Sequence, residues 1–155
     1  LTLLKEQNIH ITIDTCGFAP NVAFQQVAPL TDLFLFDLKH MDTMEHHVLT
    51  GVRNDVVLHN LRFLVKEHKQ VIIRFPLIPG LNDGEQNLKA MEDVFAELPS
   101  LRELHILPYH SIAKGKYQRL GIENLMDGVA EPTSDMVARA VRRFADIGLI
   151  VKVGG

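Results

Sequence analysis

Four strand-sized apolar runs, at residues 9–14, 33–38, 71–77 and 104–107, alternate with stretches of helical period. This alternation constrains the fold more than any other feature. Leu58, Leu61, Leu64 and Val65 form a stripe behind a capping Asp55, and Leu88, Met91, Phe95 and Leu98 form another behind Asn82 or Asp83. Met136, Ala140, Phe144 and Ile147 follow Pro132 and Thr133, with Gly148 placed to end that helix. A helical start at Leu1 and a short strand over 149–153 complete the pattern. Repeated strand–helix units build a parallel sheet with right-handed crossovers. The runs are almost continuously apolar, which predicts strands covered on both faces. A closed eight-fold barrel needs about 200 residues or more, and the chain has 155. The expectation is an α/β fold, an incomplete barrel in a single domain over 1–155.

Composition narrows the function. A formal net charge of −3 argues against a nucleic-acid surface. No apolar run is long enough to span a bilayer as a helix. Cys16 is the single cysteine, so no internal disulfide can form, and a reducing, cytoplasmic compartment is expected. An iron–sulfur cluster held by thiolates needs several cysteines, so this chain cannot hold one alone.

In parallel α/β folds the reactive groups gather at the carboxyl ends of strands. Here those ends read Asp14-Thr15-Cys16-Gly17, then Asp37-Leu38-Lys39, then Arg74 ahead of Pro76 and Pro79-Gly80, then Pro108-Tyr109-His110. Any one strand-end aspartate serves as readily as a helix cap. Together, two carboxylates, an ammonium, a guanidinium and an imidazole suit a small zwitterionic ligand. His46-His47 lacks the spacing of a zinc helix and reads as surface histidines, and Cys16 reads as a packed or site-lining thiol. The irregular stretch over 111–131 is long enough to be functional.

The same segments carry a resemblance. Ile13-Asp14-Thr15-Cys16-Gly17-Phe18, Phe36-Asp37-Leu38-Lys39-His40-Met41-Asp42, Leu49-Thr50-Gly51-Val52, Ile73-Arg74, Ile78-Pro79-Gly80, Leu107-Pro108-Tyr109-His110 and Lys116-Tyr117-Gln118-Arg119-Leu120-Gly121 occur in order. In these segments the chain resembles the activating enzymes of glycyl radical enzymes, of the pyruvate formate-lyase-activating type, within the radical S-adenosylmethionine (SAM) superfamily. The resemblance implies a partial (β/α)6 barrel of which this chain is the C-terminal part, holding strands three to six. The Cys-x3-Cys-x2-Cys loop for a [4Fe–4S] cluster and the Gly-Gly-Glu segment belong to the N-terminal part, which is absent from this sequence.

For the intact enzyme the resemblance implies reductive cleavage of SAM to methionine and a 5′-deoxyadenosyl radical. That radical takes a hydrogen from a backbone glycine of a pyruvate formate-lyase-like partner, with flavodoxin or ferredoxin as electron donor. No catalytic residue is then expected in this chain, and the isolated chain is expected to be inactive. Lys39 is expected to pair with the SAM carboxylate, Asp14 and Asp37 to lie beside the methionyl or ribose portion, and Arg74 and His110 to line the same ligand. With Lys39 as the main positive charge near two aspartates, a monovalent cation is expected between Asp14, Thr15 and Asp37. Two alternatives remain on the residues alone. One is a barrel lyase using Lys39 as a Schiff-base nucleophile, which nearby carboxylates disfavour; the other is a non-catalytic domain that binds a ligand or protein.

Overall fold

The computed structural model describes residues 1–111, 119–124 and 126–154. Five parallel strands form one sheet in the order β1-β2-β3-β4-β5. They are β1 (Thr12–Thr15), β2 (Leu33–Asp37), β3 (Gln70–Leu77), β4 (Glu103–Pro108) and β5 (Ile150–Val153). Between them run α1 (Thr2–Glu6, before β1), α2 (Asn21–Val27), α3 (Thr43–Thr50), α4 (Asp55–Lys66), α5 (Glu85–Glu97) and α6 (Ser134–Asp146). Strands in sequential order, all parallel, are the arrangement of an opened (β/α) barrel. The sheet has one strand more than the strands three to six that the resemblance implies. Among the described residues, no helix is long and apolar enough to cross a membrane.

The helices cover one face only, which corrects the expectation of strands buried on both sides. Phe34, Phe36, Ile73, Phe75, Leu77, Leu104 and Ile106 alternate along β2–β4 and form one core cluster with Phe24, Leu61, Leu64, Met91, Phe95 and Phe144 from the helices. Phe144 sits edge-on to Phe75 and Phe95, with ring centroids 6.5 and 6.2 Å apart. The intervening strand residues, from Leu33 to Leu107, are only half buried, and Gln70 is exposed. An apolar run cannot reveal this, because alternate residues of a strand point to opposite faces whatever their chemistry.

Helix boundaries follow their caps. The Thr133 hydroxyl accepts from the Met136 N–H at 3.2 Å, and Gly148 has φ +89° just beyond α6. Ile147 departs from its stripe and is exposed. Neither Asp55 nor Asn82 caps the helix expected of it: Asn54 and Gly84 stand at those positions. Asn54 and Asn82, whose side chains cap neither helix, are buried and donate to loop and strand carbonyls instead.

Candidate functional site

The half-buried face of the sheet carries the charges. Asp37 and Lys39 are two residues apart at the end of β2, so both side chains belong to that face. Asp37 pairs in register with Arg74 on β3, and Asp14 on β1 pairs with Leu35, one step lower on the same face. The Arg74 guanidinium spans the gap. Its Nε donates to Asp37 Oδ1 at 3.0 Å, Nη2 lies 2.9 Å from the same oxygen as an ion pair, and Nη2 donates to Asp14 Oδ1. Lys39 Nζ stands 3.8 Å from Asp37 Oδ2. Side-chain exposure is 16% for Arg74 and 20% for Asp37, against 39% for Lys39 and 61% for Asp14. The cluster is therefore a paired floor with two groups reaching into solvent. Burial works against the guanidinium charge, but Asp37 and then Asp14 outweigh it, so Arg74 is held above its ordinary value.

Four of the five residues expected in the site thus come together. His110 does not join them. It lies two residues past β4, exposed, and its described polar partner is Glu131, at 3.6 Å. Glu131 in turn is held below the usual carboxylate range, first by the Ser111 backbone N–H and then by the Ser111 hydroxyl. Residues 112–118, which include half of the Lys116–Gly121 motif and a third of the 111–131 stretch, lie outside the described residues.

The premise for a cation changes as well. Arg74, not Lys39, is the main positive charge at the two aspartates, and it occupies the space between them. Thr15 alternates to the helix-covered face, opposite Phe36, and its hydroxyl accepts from the Gly17 N–H at 3.0 Å. Among the described residues no group of three or more His, Cys, Asp or Glu side chains could hold a metal. Cys16 is exposed rather than packed. His46 is buried rather than at the surface, with Nδ1 2.7 Å from the Val52 carbonyl.

Two sets of residues escaped the sequence reading. The row of ionisable side chains continues across the sheet: Arg74 pairs in register with His105, and His105 with Lys152. Glu103 joins them, 2.7 Å from His105 and 2.6 Å from Lys152. Lys152, then His105, holds the Glu103 carboxyl below the usual range. Ionisable side chains at alternate positions 103 and 105, interleaved with Leu104 and Ile106, were the available signal. The second set is a group of buried asparagines that fix the loops at the strand ends. Asn60 donates to the carbonyls of Gly17 and Ala19, both at 2.9 Å. Asn54 donates to those of His40 and Met41 at 3.1 and 2.7 Å.

The donor set suits an amino-acid ligand with hydroxyls. Lys39 and Arg74 can meet a carboxylate, while Asp14 and Asp37 can meet an ammonium and sugar hydroxyls. It does not suit an iron–sulfur cluster, for which one exposed thiolate is too few.

No family model matches the chain. The choline trimethylamine-lyase activating enzyme of Oleidesulfovibrio alaskensis is 34% identical over 150 residues, 93% of this chain and 48% of the relative. The pyruvate formate-lyase 2-activating enzyme of Escherichia coli is 37% identical over 155 residues, the whole of this chain and 53% of the relative. The chain thus spans about half the length of the curated relatives it matches. A crystal structure of a domain of pyruvate-formate lyase-activating enzyme from Bacteroides vulgatus superposes with a TM-score of 0.80 at 30% identity, covering 97% of this chain and 84% of that one. A radical SAM methyltransferase from Sphaerobacter thermophilus shares the fold at a TM-score of 0.70 and 14% identity, covering 96% of this chain and 42% of that one. Its half-open parallel sheet is thus a partial barrel of the radical SAM type, and the chain belongs to the family of glycyl radical enzyme activating enzymes.

Proposed function

We propose that this chain is the SAM-orienting wall of a radical SAM activating enzyme that installs a glycyl radical on a pyruvate formate-lyase-like partner. In this reading residues 1–155 are one domain, the C-terminal part of a (β/α)6 partial barrel. The observation that carries it is the Arg74 guanidinium, from within β3, held between Asp14 and Asp37 at the carboxyl ends of β1 and β2, with Lys39 just past β2. Lys39 meets the SAM carboxylate, and the aspartates meet the amine and the ribose hydroxyls. Arg74 keeps the aspartates paired until the ligand arrives, and His110, paired with Glu131 past β4, would have to leave that partner to line the same ligand. None of these residues transfers a proton. Their contribution is to hold the ligand in one orientation, which can supply much of the advantage of a bound reaction.

When bound, SAM and a reduced [4Fe–4S] cluster together supply one-electron cleavage of the sulfonium and a radical able to take hydrogen from a glycine. The cluster's thiolates have to come from outside these 155 residues, since Cys16 stands alone. This chain by itself is then inactive. The electron donor is a flavodoxin or ferredoxin. Within the same site a monovalent cation, expected at Asp14, Thr15 and Asp37, has to take the place of Arg74 at the two aspartates. SAM affinity that is equal in Na⁺, K⁺ and a bulky organic cation removes that component.

The test of the activity is electron paramagnetic resonance of a glycyl radical enzyme mixed anaerobically with the full-length protein, SAM and a one-electron reductant. A glycyl radical signal that requires SAM is expected. Its absence, with the cluster intact and across the glycyl radical enzymes of the same organism, contradicts the proposal.

A further inference from the structure

We infer that Asn82 is a positioning residue: it sets where the Lys39 ammonium stands relative to Arg74, and through Lys39 it sets affinity for the ligand's carboxylate. The inference rests on the SAM reading of the site.

The β2–β3 ladder ends at Asp37 and Arg74, with one further bond from the Leu38 N–H to the Arg74 carbonyl at 2.9 Å. Lys39 is the next residue, and here a side chain takes over from the ladder. Asn82 Nδ2 donates to the Lys39 carbonyl at 3.0 Å and to the Pro76 carbonyl, while Oδ1 accepts from the Ile78 N–H at 2.8 Å. One amide thus ties the strand bearing Asp37 and Lys39 to the strand bearing Arg74. Asn82 is 2% exposed, so its donors and acceptor work without competition from water.

The tie is itself anchored. Asn87 on α5 donates to the Asn82 carbonyl at 2.7 Å and accepts from the Met41 N–H at 2.7 Å. Asn54 holds the carbonyls of His40 and Met41 from the start of α4. Residues 39–41 therefore hang from three buried amides on three different segments. The Lys39 side chain, by contrast, is 39% exposed with one loose ion pair. Its own contacts do not fix it, so its backbone anchor must.

The test is a double-mutant cycle of SAM binding by calorimetry in the full-length protein, using Lys39→Ala, Asn82→Asp and both together. Asn82→Asp keeps the acceptor for Ile78 and sets an oxygen against the carbonyls of Lys39 and Pro76. Asn82→Asp alone is expected to weaken SAM roughly tenfold, the scale of one lost hydrogen-bonded position. Binding of 5′-methylthioadenosine, which lacks the amino and carboxyl groups, is expected to stay within about twofold. In the Lys39→Ala background the Asn82→Asp effect is expected to vanish. Additive losses, or equal losses for both ligands, overturn the inference, because a purely structural role would produce them. Lys39→Ala without effect on SAM overturns the underlying site instead. If thermal melting shows that Asn82→Asp does not fold, Asn87→Asp, one link away, is read through the same cycle.

Discussion

Arg74 and Asp37 are register partners on β3 and β2, and Arg74 Nε and Nη2 lie 3.0 and 2.9 Å from a single oxygen of Asp37. Backbone pairing brings the two side chains onto the same rung of the same face, and the guanidinium has reach left over for Asp14 on the next strand but one. Three strands are thereby cross-linked at the rim where the ligand is proposed to bind.

Removing the guanidinium leaves Asp37 mostly buried without its main partner. Arg74→Met is therefore expected to destabilise the fold by about 1–3 kcal/mol as well as to weaken SAM binding. Arg74→Lys keeps the charge but loses the planar fork that serves two carboxylates, so it should recover stability better than affinity. Urea titrations and SAM calorimetry on both variants check this. A stability for Arg74→Met equal to wild type would contradict it.

Asn60 is fully buried and is the described donor to two loop carbonyls after β1. Asn60→Ala orphans both and is expected to cost about 1–3 kcal/mol in urea denaturation. A loss below about 0.5 kcal/mol, the scale of a neutral surface change, would show that the loop finds other donors.

Gly17 has φ +74°, and a Cβ there would overlap the ring of Phe36, which is fully buried. Gly17→Ala combines backbone strain with overpacking, each of order 1–3 kcal/mol. A sharp fall in melting temperature is expected. An unchanged melt would mean that Phe36 can move aside without loss.

Glu103 titrates below the ordinary glutamate value of 4.5 because Lys152 and then His105 bond its carboxylate. A depressed folded value contributes stability that is complete above the ordinary range and is lost as pH falls through the folded value. Wild type and Glu103→Gln should differ in melting temperature at pH 7 and converge toward pH 3. A constant difference across that range would deny the ion pairs any part in stability. The group is near the surface, so the effect is expected to be small.

Much of this was legible in the sequence for a physical reason. Strand ends concentrate chemistry in parallel folds, so Asp14, Asp37, Lys39 and Arg74 could be read as neighbours before their register was known. Periodicity also placed Phe95, Ala140 and Phe144 in the core. What escaped was whatever depends on three-dimensional pairing. Continuous apolar runs concealed that one sheet face is half open. Asn82 and Asp55 carry cap chemistry in sequence, and only packing decides whether an asparagine caps a helix or anchors a distant loop. The reach of Arg74 across two strands, which replaced Lys39 as the main counter-charge, cannot be read from spacing at all.

The most direct measurement is SAM binding by calorimetry to the full-length protein with its cluster reconstituted anaerobically, wild type against Lys39→Ala. Loss of a charge-assisted contact with the ligand carboxylate should weaken binding by roughly 10- to 100-fold while leaving the fold intact. SAM binding that is unchanged in Lys39→Ala, or absent from the reconstituted wild type, would contradict the placement of the ligand on this wall.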